Sequence, residues 1–209
     1  MKKPSKPKKK ETTQSTSNKL EWLLQNKNRE AMAAAPSAPR SRGNRLTFKV
    51  GDVVYVKPDQ AGEESYIADI VKIVDNKVQL RWYYRPEDAR GGRQVWHGSK
   101  EMFKSNHLDW NYLQCIEGRC HMHTLEEYEN LDGVGDADFF SRFEYCVRTS
   151  KFTPDIVPIY CLCELPHNPD LFMIECEKCL DWFHPECVGI QAYDDSTTRK
   201  FTCPNCKYP

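Results

Sequence analysis

Eight residues in the last quarter of the chain have the types and spacing of metal ligands. They are Cys161, Cys163, Cys176, Cys179, His184, Cys187, Cys203 and Cys206, in the pattern C-x-C-x12-C-x2-C-x4-H-x2-C-x15-C-x2-C. Thiolate and imidazole hold Zn²⁺ tetrahedrally, so eight donors in four close pairs predict two structural zinc ions. All eight positions are then filled and none is left for water, which argues against a catalytic zinc. A segment of about 50 residues buries too little surface to fold by apolar burial, so the metals must supply the folding free energy. The alternative is a disulfide framework. Of the 10 cysteines, 7 lie in the pattern, leaving an odd three, and no signal peptide is read. Metal thiolates need a reducing compartment.

The net charge of zero hides a split. Residues 1–45 carry twelve Lys/Arg and three Asp/Glu, a balance of +9; residues 46–209 carry eighteen and twenty-seven, a balance of −9. Seven thiolates against two Zn²⁺ would add about −3 more. An acidic body does not suit nucleic acid, which wants a basic face; it suits a basic peptide. No apolar run approaches the ~20 residues of a membrane helix. No nucleophile–base pair, Gly-rich phosphate loop or paired carboxylate stands out, so no enzyme and no small-molecule substrate is expected.

Several elements must position these groups. Residues 1–45 read as a disordered basic tail, with Lys2, Lys3, Lys6, Lys8, Lys9 and Lys10 among prolines. That cluster suits nuclear import, a weak nonspecific DNA contact, or simply a solvated tail. A short helix is predicted from Lys19 to about Ala34, capped by Asn18. Residues 46–149 read as mostly β. Strands are predicted at Asp52–Lys57, Tyr66–Val74 and Val78–Tyr84, the last two joined by a tight turn at Asp75-Asn76-Lys77. In the second arm Val78, Leu80, Trp82 and Tyr84 share one face, and Gln79, Arg81 and Tyr83 the other. Further strands are expected near Asn111–Ile116, Arg119–His123 and Phe139–Val147. Thr124 and Glu127 form a capping box that opens one helical turn. Many short strands with irregular loops suggest a β-barrel-like core. Cys120, His121 and His123 lack a fourth ligand and read as ordinary strand content.

Two stretches also resemble known families. A RING finger puts histidine fourth among its ligands; here it is fifth, and Trp182 stands two residues before it, as in a PHD finger. The run Phe48-Lys49-Val50-Gly51-Asp52-Val53-Val54 looks like the opening of a BAH domain. So do Arg81-Trp82-Tyr83-Tyr84-Arg85-Pro86-Glu87 and His97-Gly98-Ser99-Lys100-Glu101, and Ile116–Cys120 and Arg142–Tyr145 continue the match. The arrangement resembles the plant BAH–PHD histone readers of the SHORT LIFE and EARLY BOLTING IN SHORT DAYS type, over about residues 46–207. The resemblance implies a mostly β chain: a disordered tail over 1–45, a barrel-like BAH domain over 46–155 and a cross-brace PHD finger over 158–209. It places Cys161, Cys163, His184 and Cys187 on one zinc and Cys176, Cys179, Cys203 and Cys206 on the other. Spacing alone leaves that crossing open.

The same resemblance implies a nuclear chromatin reader with two binding modules, no chemistry of its own, and a link to repression of flowering genes in plants. Its partners would be nucleosomes and methylated tails of histone three, trimethylated lysine 27 on the BAH domain and methylated lysine 4 on the finger. A trimethylated lysine has no N–H to donate, so it is held by aromatic faces converging from different elements. The matching BAH positions are Tyr66, Trp82 and Tyr84, with His107 and Asp109 near the peptide groove. Because Val78 and Leu80 share the face of Trp82 and Tyr84, the alternative is that both aromatics extend the core. In the finger the matching positions are Tyr160 and Trp182, with Met173 on Leu171–Glu175, the segment that pairs with the histone backbone. Trp182 could instead pack the small core. Where the family carries tyrosine, this chain has His167 in His167-Asn168-Pro169-Asp170, and Leu171 replaces an aspartate. An imidazole is a poorer cation–π wall than a phenol. The remaining alternatives are a zinc-finger ubiquitin ligase and a DNA-binding protein acting through the tail.

Overall fold

The computed structural model describes residues 47–60, 62–190 and 201–207. The expected basic tail and the helix near residues 19–34 lie outside them.

Six strands close into a barrel: β1 (Val53–Val56), β2 (Tyr66–Val74), β3 (Lys77–Tyr84), β4 (Glu101–Tyr112), β5 (Ile116–His123) and β6 (Asp138–Cys146). The neighbour order is β4-β3-β2-β1-β5-β6, and β6 returns to pair with β4. That last pairing is parallel, from Glu101↔Phe140 to Ser105↔Tyr145, and it removes the edges that an open sheet would expose. A short β7 (Lys151–Thr153) adds to β6. Thr124 caps α1 (Leu125–Glu129) through the expected box: its hydroxyl accepts from Glu127 N at 3.2 Å, and its own N–H donates to Glu127 Oε2 at 2.8 Å.

One expectation needs correction. The strand expected at Asn111–Ile116 is instead the end of the long β4 followed by a 3-10 turn at Leu113–Cys115. Strand β4 escapes alternation because it buries Glu101 and Ser105, whose partners, Arg142 and the Trp82 carbonyl, are far away in sequence. Strand β3 keeps its expected faces and is covered on both. Val78, Leu80, Trp82 and Tyr84 do face inward, yet Tyr83 on the opposite face is also buried, with Ile67, Met102 and Cys120. Its hydroxyl donates to Asp69 at 3.0 Å, and Arg81 donates twice to the same carboxylate.

The C-terminal module has little regular structure. It contains the pairs β8 (Ile159–Tyr160) with β9 (Leu165–Pro166) and β10 (Ile174–Glu175) with β11 (Trp182–Phe183), and a short α2 (Pro204–Lys207). Its core is Ile174, Phe183 and Phe201 around Cys176 and Cys203.

The loop His167–Asp170 seats the module on the barrel. The Asn168 side-chain amide, buried, donates to the Val95 carbonyl at 3.1 Å, and Asp170 Oδ2 accepts from Ser99 N at 2.5 Å. Arg142 of β6 donates to the His167 carbonyl at 2.6 Å. Gly98 is required here: a Cβ would lie 2.9 Å from the Phe140 ring and 3.3 Å from Pro169.

Candidate metal centres and aromatic clusters

The eight ligand-type residues gather into two groups. Cys161, Cys163, His184 and Cys187 form one; Cys176, Cys179, Cys203 and Cys206 form the other, with donor atoms within 4.8 Å in each. The first and third pairs of the sequence thus join, as do the second and fourth. The donor geometry fits zinc. Zn–S bonds of ~2.3 Å in a tetrahedron set sulfur–sulfur edges of about 3.8 Å, whereas a disulfide is ~2.05 Å. Cys179 and Cys203 sulfurs stand 3.8 Å apart, and Cys163 Sγ lies 3.5 Å from His184 Nδ1. None of the ten cysteines is in a disulfide.

The electrostatics agree. Burial opposes ionisation of Cys176, but the backbone N–H groups of Cys203, Cys179 and Lys178 outweigh it and draw the thiol down to about 6. In the same group Cys206 is pushed up to about 12, first by its hydrogen bond with Cys203 and then by Cys179. In the other group burial and the Cys161 sulfur push Cys187 up to about 11. Gathered sulfurs compete for negative charge, and a divalent cation at the centre removes that conflict.

Three of the four expected aromatic-site residues of the module meet. Tyr160 and His167 rings stand 6.4 Å apart at 81°, and His167 Nδ1 lies 3.4 Å from Met173 Sδ. Trp182 is 43% exposed on β11, and among the described residues its ring touches neither Tyr160 nor His167. Met173 is buried and lies just before β10, in which Ile174 and Glu175 pair with Phe183 and Trp182 of β11. His167 is not turned to solvent. Its Nε2 stands 2.7 Å from Glu129 Oε1 at the end of α1, a contact between barrel and module that the sequence did not suggest.

On the barrel, Tyr66, Trp82, Tyr84 and His107 come together from β2, β3 and β4. Trp82 meets Tyr66 at 6.1 Å and 84°, and His107 lies 6.4 Å from Trp82 and 6.1 Å from Tyr84. The Tyr84 hydroxyl hydrogen-bonds His107 Nδ1 at 2.9 Å. Burial, and then Glu63, push the Tyr66 phenol up to about 12; burial, and then Tyr145, do the same to Tyr84, so both stay neutral. A bulge places His107. Arg81 pairs with Leu108 while Tyr83 pairs with Lys104, leaving three residues of β4 opposite Trp82. Ser105 fills the broken ladder: its hydroxyl donates to the Trp82 carbonyl at 2.6 Å and accepts from His107 N at 3.1 Å. Ser105 was not singled out in the sequence, where it stands between Lys104 and Asn106 with nothing to mark it. Asp109 pairs with Leu80 across the strands, two residues beyond His107 on β4.

The BAH domain model matches residues 46–155 and the PHD-finger model residues 161–206. The Arabidopsis thaliana chromatin remodeling proteins EBS and SHL are 44% identical over 170 residues and 43% over 166. These alignments cover 79% and 77% of this chain and 73% of each relative. The chain belongs to the BAH–PHD family. The barrel is its BAH domain and the cysteine-rich module its PHD finger. The zebrafish histone lysine demethylase PHF8 is 49% identical over 51 residues, 24% of this chain and 5% of that protein, so it shares the finger segment alone. A crystal structure of the yeast Rsc2 BAH domain aligns over 56% of this chain and 54% of its own, with a TM-score of 0.43 and 18% identity. The two domains and the relatives support a chromatin reader that engages histones or nucleosomes, which implies the nucleus, and the finger with its Cys/His clusters suggests zinc binding.

Proposed function

We propose that the chain reads two methylated lysines of histone three without catalysing a reaction. The BAH domain takes trimethylated lysine 27 between Tyr66, Trp82 and Tyr84, with His107 and Asp109 gripping neighbouring peptide residues. The PHD finger, held by two Zn²⁺, takes methylated lysine 4 against Tyr160, His167, Met173 and Trp182. The readout serves transcriptional repression, of flowering genes in a plant, and the basic residues 1–45 add a weak nonspecific DNA contact.

The observation that carries this reading is the perpendicular meeting of Tyr66 and Trp82, completed by Tyr84 and His107. Neutral ring faces at right angles attract a methylammonium that can donate no hydrogen bond. The −9 balance of residues 46–209 favours a basic histone peptide. The test is calorimetry of the full chain with modified and unmodified histone-three peptides. A desolvated cation–π wall contributes ~2 kcal/mol, so Tyr66→Ala should weaken the lysine 27 peptide roughly 30-fold and Trp182→Ala the lysine 4 peptide similarly, each sparing the other mark. Tyr66 and Trp182 are the less buried cage members, so their truncation should leave the circular dichroism unchanged. Equal affinity for methylated and unmethylated peptides would sink the proposal.

A further inference from the structure

Strands β5 and β6 run parallel with His121 opposite Asp138 and His123 opposite Phe140. Residues two apart on a strand share a face, so both imidazoles project over the Asp138 carboxylate. The contacts converge on one atom: His121 Nδ1 and His123 Nε2 lie 3.1 and 3.0 Å from Asp138 Oδ1. The other oxygen, Oδ2, accepts from Gly135 N at 2.9 Å, which fixes the carboxylate plane. His123 and Asp138 are largely sheltered, at 20% and 17% side-chain exposure, while His121 at 68% leaves one side open. Asp138 is the donor missing when the cluster is read along the chain.

We infer that His121, His123 and Asp138 form a third metal site, separate from the finger, that binds Zn²⁺ or a similar borderline divalent ion with one position left for water. The three donor atoms lie within 4.8 Å of one another. Two imidazoles and a carboxylate select zinc, nickel or copper over magnesium or calcium. A tetrahedral zinc with bonds of ~2.0–2.1 Å sets nitrogen–oxygen edges of about 3.3 Å, close to the separations here. The Gly135 N–H supplies the outer hydrogen bond that ligating carboxylates receive. The open side faces the cleft between β5, α1 and Gly51–Val53, which Glu126 and Asn130 also border. The competing account is a pair of His–Asp hydrogen bonds with no ion, and it makes a different prediction.

The experiment titrates Zn²⁺ into the full chain with its finger zinc already bound, following heat and elemental stoichiometry. One further equivalent is expected, with thermal stability rising as it binds. His121→Ala, a change at an exposed side chain, and Asp138→Asn, which keeps the shape, should each weaken that equivalent tenfold or more. The imidazole NMR signals of His121 and His123 should shift with metal. Absence of a further equivalent in the unmodified chain overturns the proposal. So does a further equivalent bound with unchanged affinity in both variants, because the ion would then lie elsewhere.

Discussion

Arg142 should be the costliest single polar side chain to remove from the BAH domain. Its guanidinium donates to both oxygens of Glu101 at 2.8 and 3.0 Å, and Glu101 is fully buried. The same carboxylate accepts from Gly98 N at 3.0 Å. Arg142 also lies over the Trp96 and Phe143 rings and donates to the Trp96 and His167 carbonyls. Arg142→Met keeps most of the bulk but leaves a carboxylate buried without its counter-charge, a defect that costs about 3–5 kcal/mol. For a body of this size each kcal/mol moves the midpoint by roughly 2–4 °C, so a fall of about 6–20 °C is expected. Urea unfolding followed by tryptophan fluorescence measures the free energy, and thermal unfolding the midpoint. Glu101→Gln in the same background removes the stranded charge and should recover part of the loss. Arg85→Met, beside the exposed Glu64, serves as the surface comparison and should cost under about 1 kcal/mol. A loss below about 1 kcal/mol for Arg142→Met, or no recovery with Glu101→Gln, would refute the buried-charge argument.

Three further outcomes are expected. Burial, and then Arg142 and Arg93, draw the His97 imidazole down from 6.5 to about 4, so folding stability is full above pH 6.5 and is lost as pH falls from 6.5 through 4. His97→Gln, compared with the parent by urea midpoint at each pH, should remove up to roughly 3 kcal/mol of that dependence; parallel curves would contradict it. A chelator should strip the finger and unfold its core around Cys176 and Cys203 while the barrel persists, and elemental analysis of the folded Asp138→Asn chain, whose third site is weakened, should give two zinc ions; a single ion there would defeat the two-centre reading. His167→Tyr supplies a richer cation–π wall and should tighten the lysine 4 peptide several-fold, although it gives up the contact with Glu129; unchanged affinity would mean that this ring does not line the site.

The residue pattern by itself determined everything that depends on local spacing. The C-x2-C pairs, the capping box at Thr124, the β2–β3 hairpin and the aromatic positions Trp82 and Tyr84 are readable because neighbours along the chain are neighbours in space. The two-residue period also identified which face of β3 holds the aromatics, though it could not report that Tyr83 on the other face is covered as well. Only the tertiary structure decided what meets across distance. Which ligand pairs share a centre depends on how the finger folds over itself, and spacing is equally compatible with pairing in sequence order. Strand β4 was hidden because its buried Glu101 and Ser105 look polar until Arg142 and the Trp82 carbonyl are brought to them. His107 enters the ring cluster through a bulge, a change of register that no periodicity records. Asp138 reaches His121 and His123, and Glu129 reaches His167, because barrel closure and the docking of loop His167–Asp170 place distant segments side by side. Those contacts are satisfied pairwise between remote polar groups, so neither partner shows its role until the other has arrived.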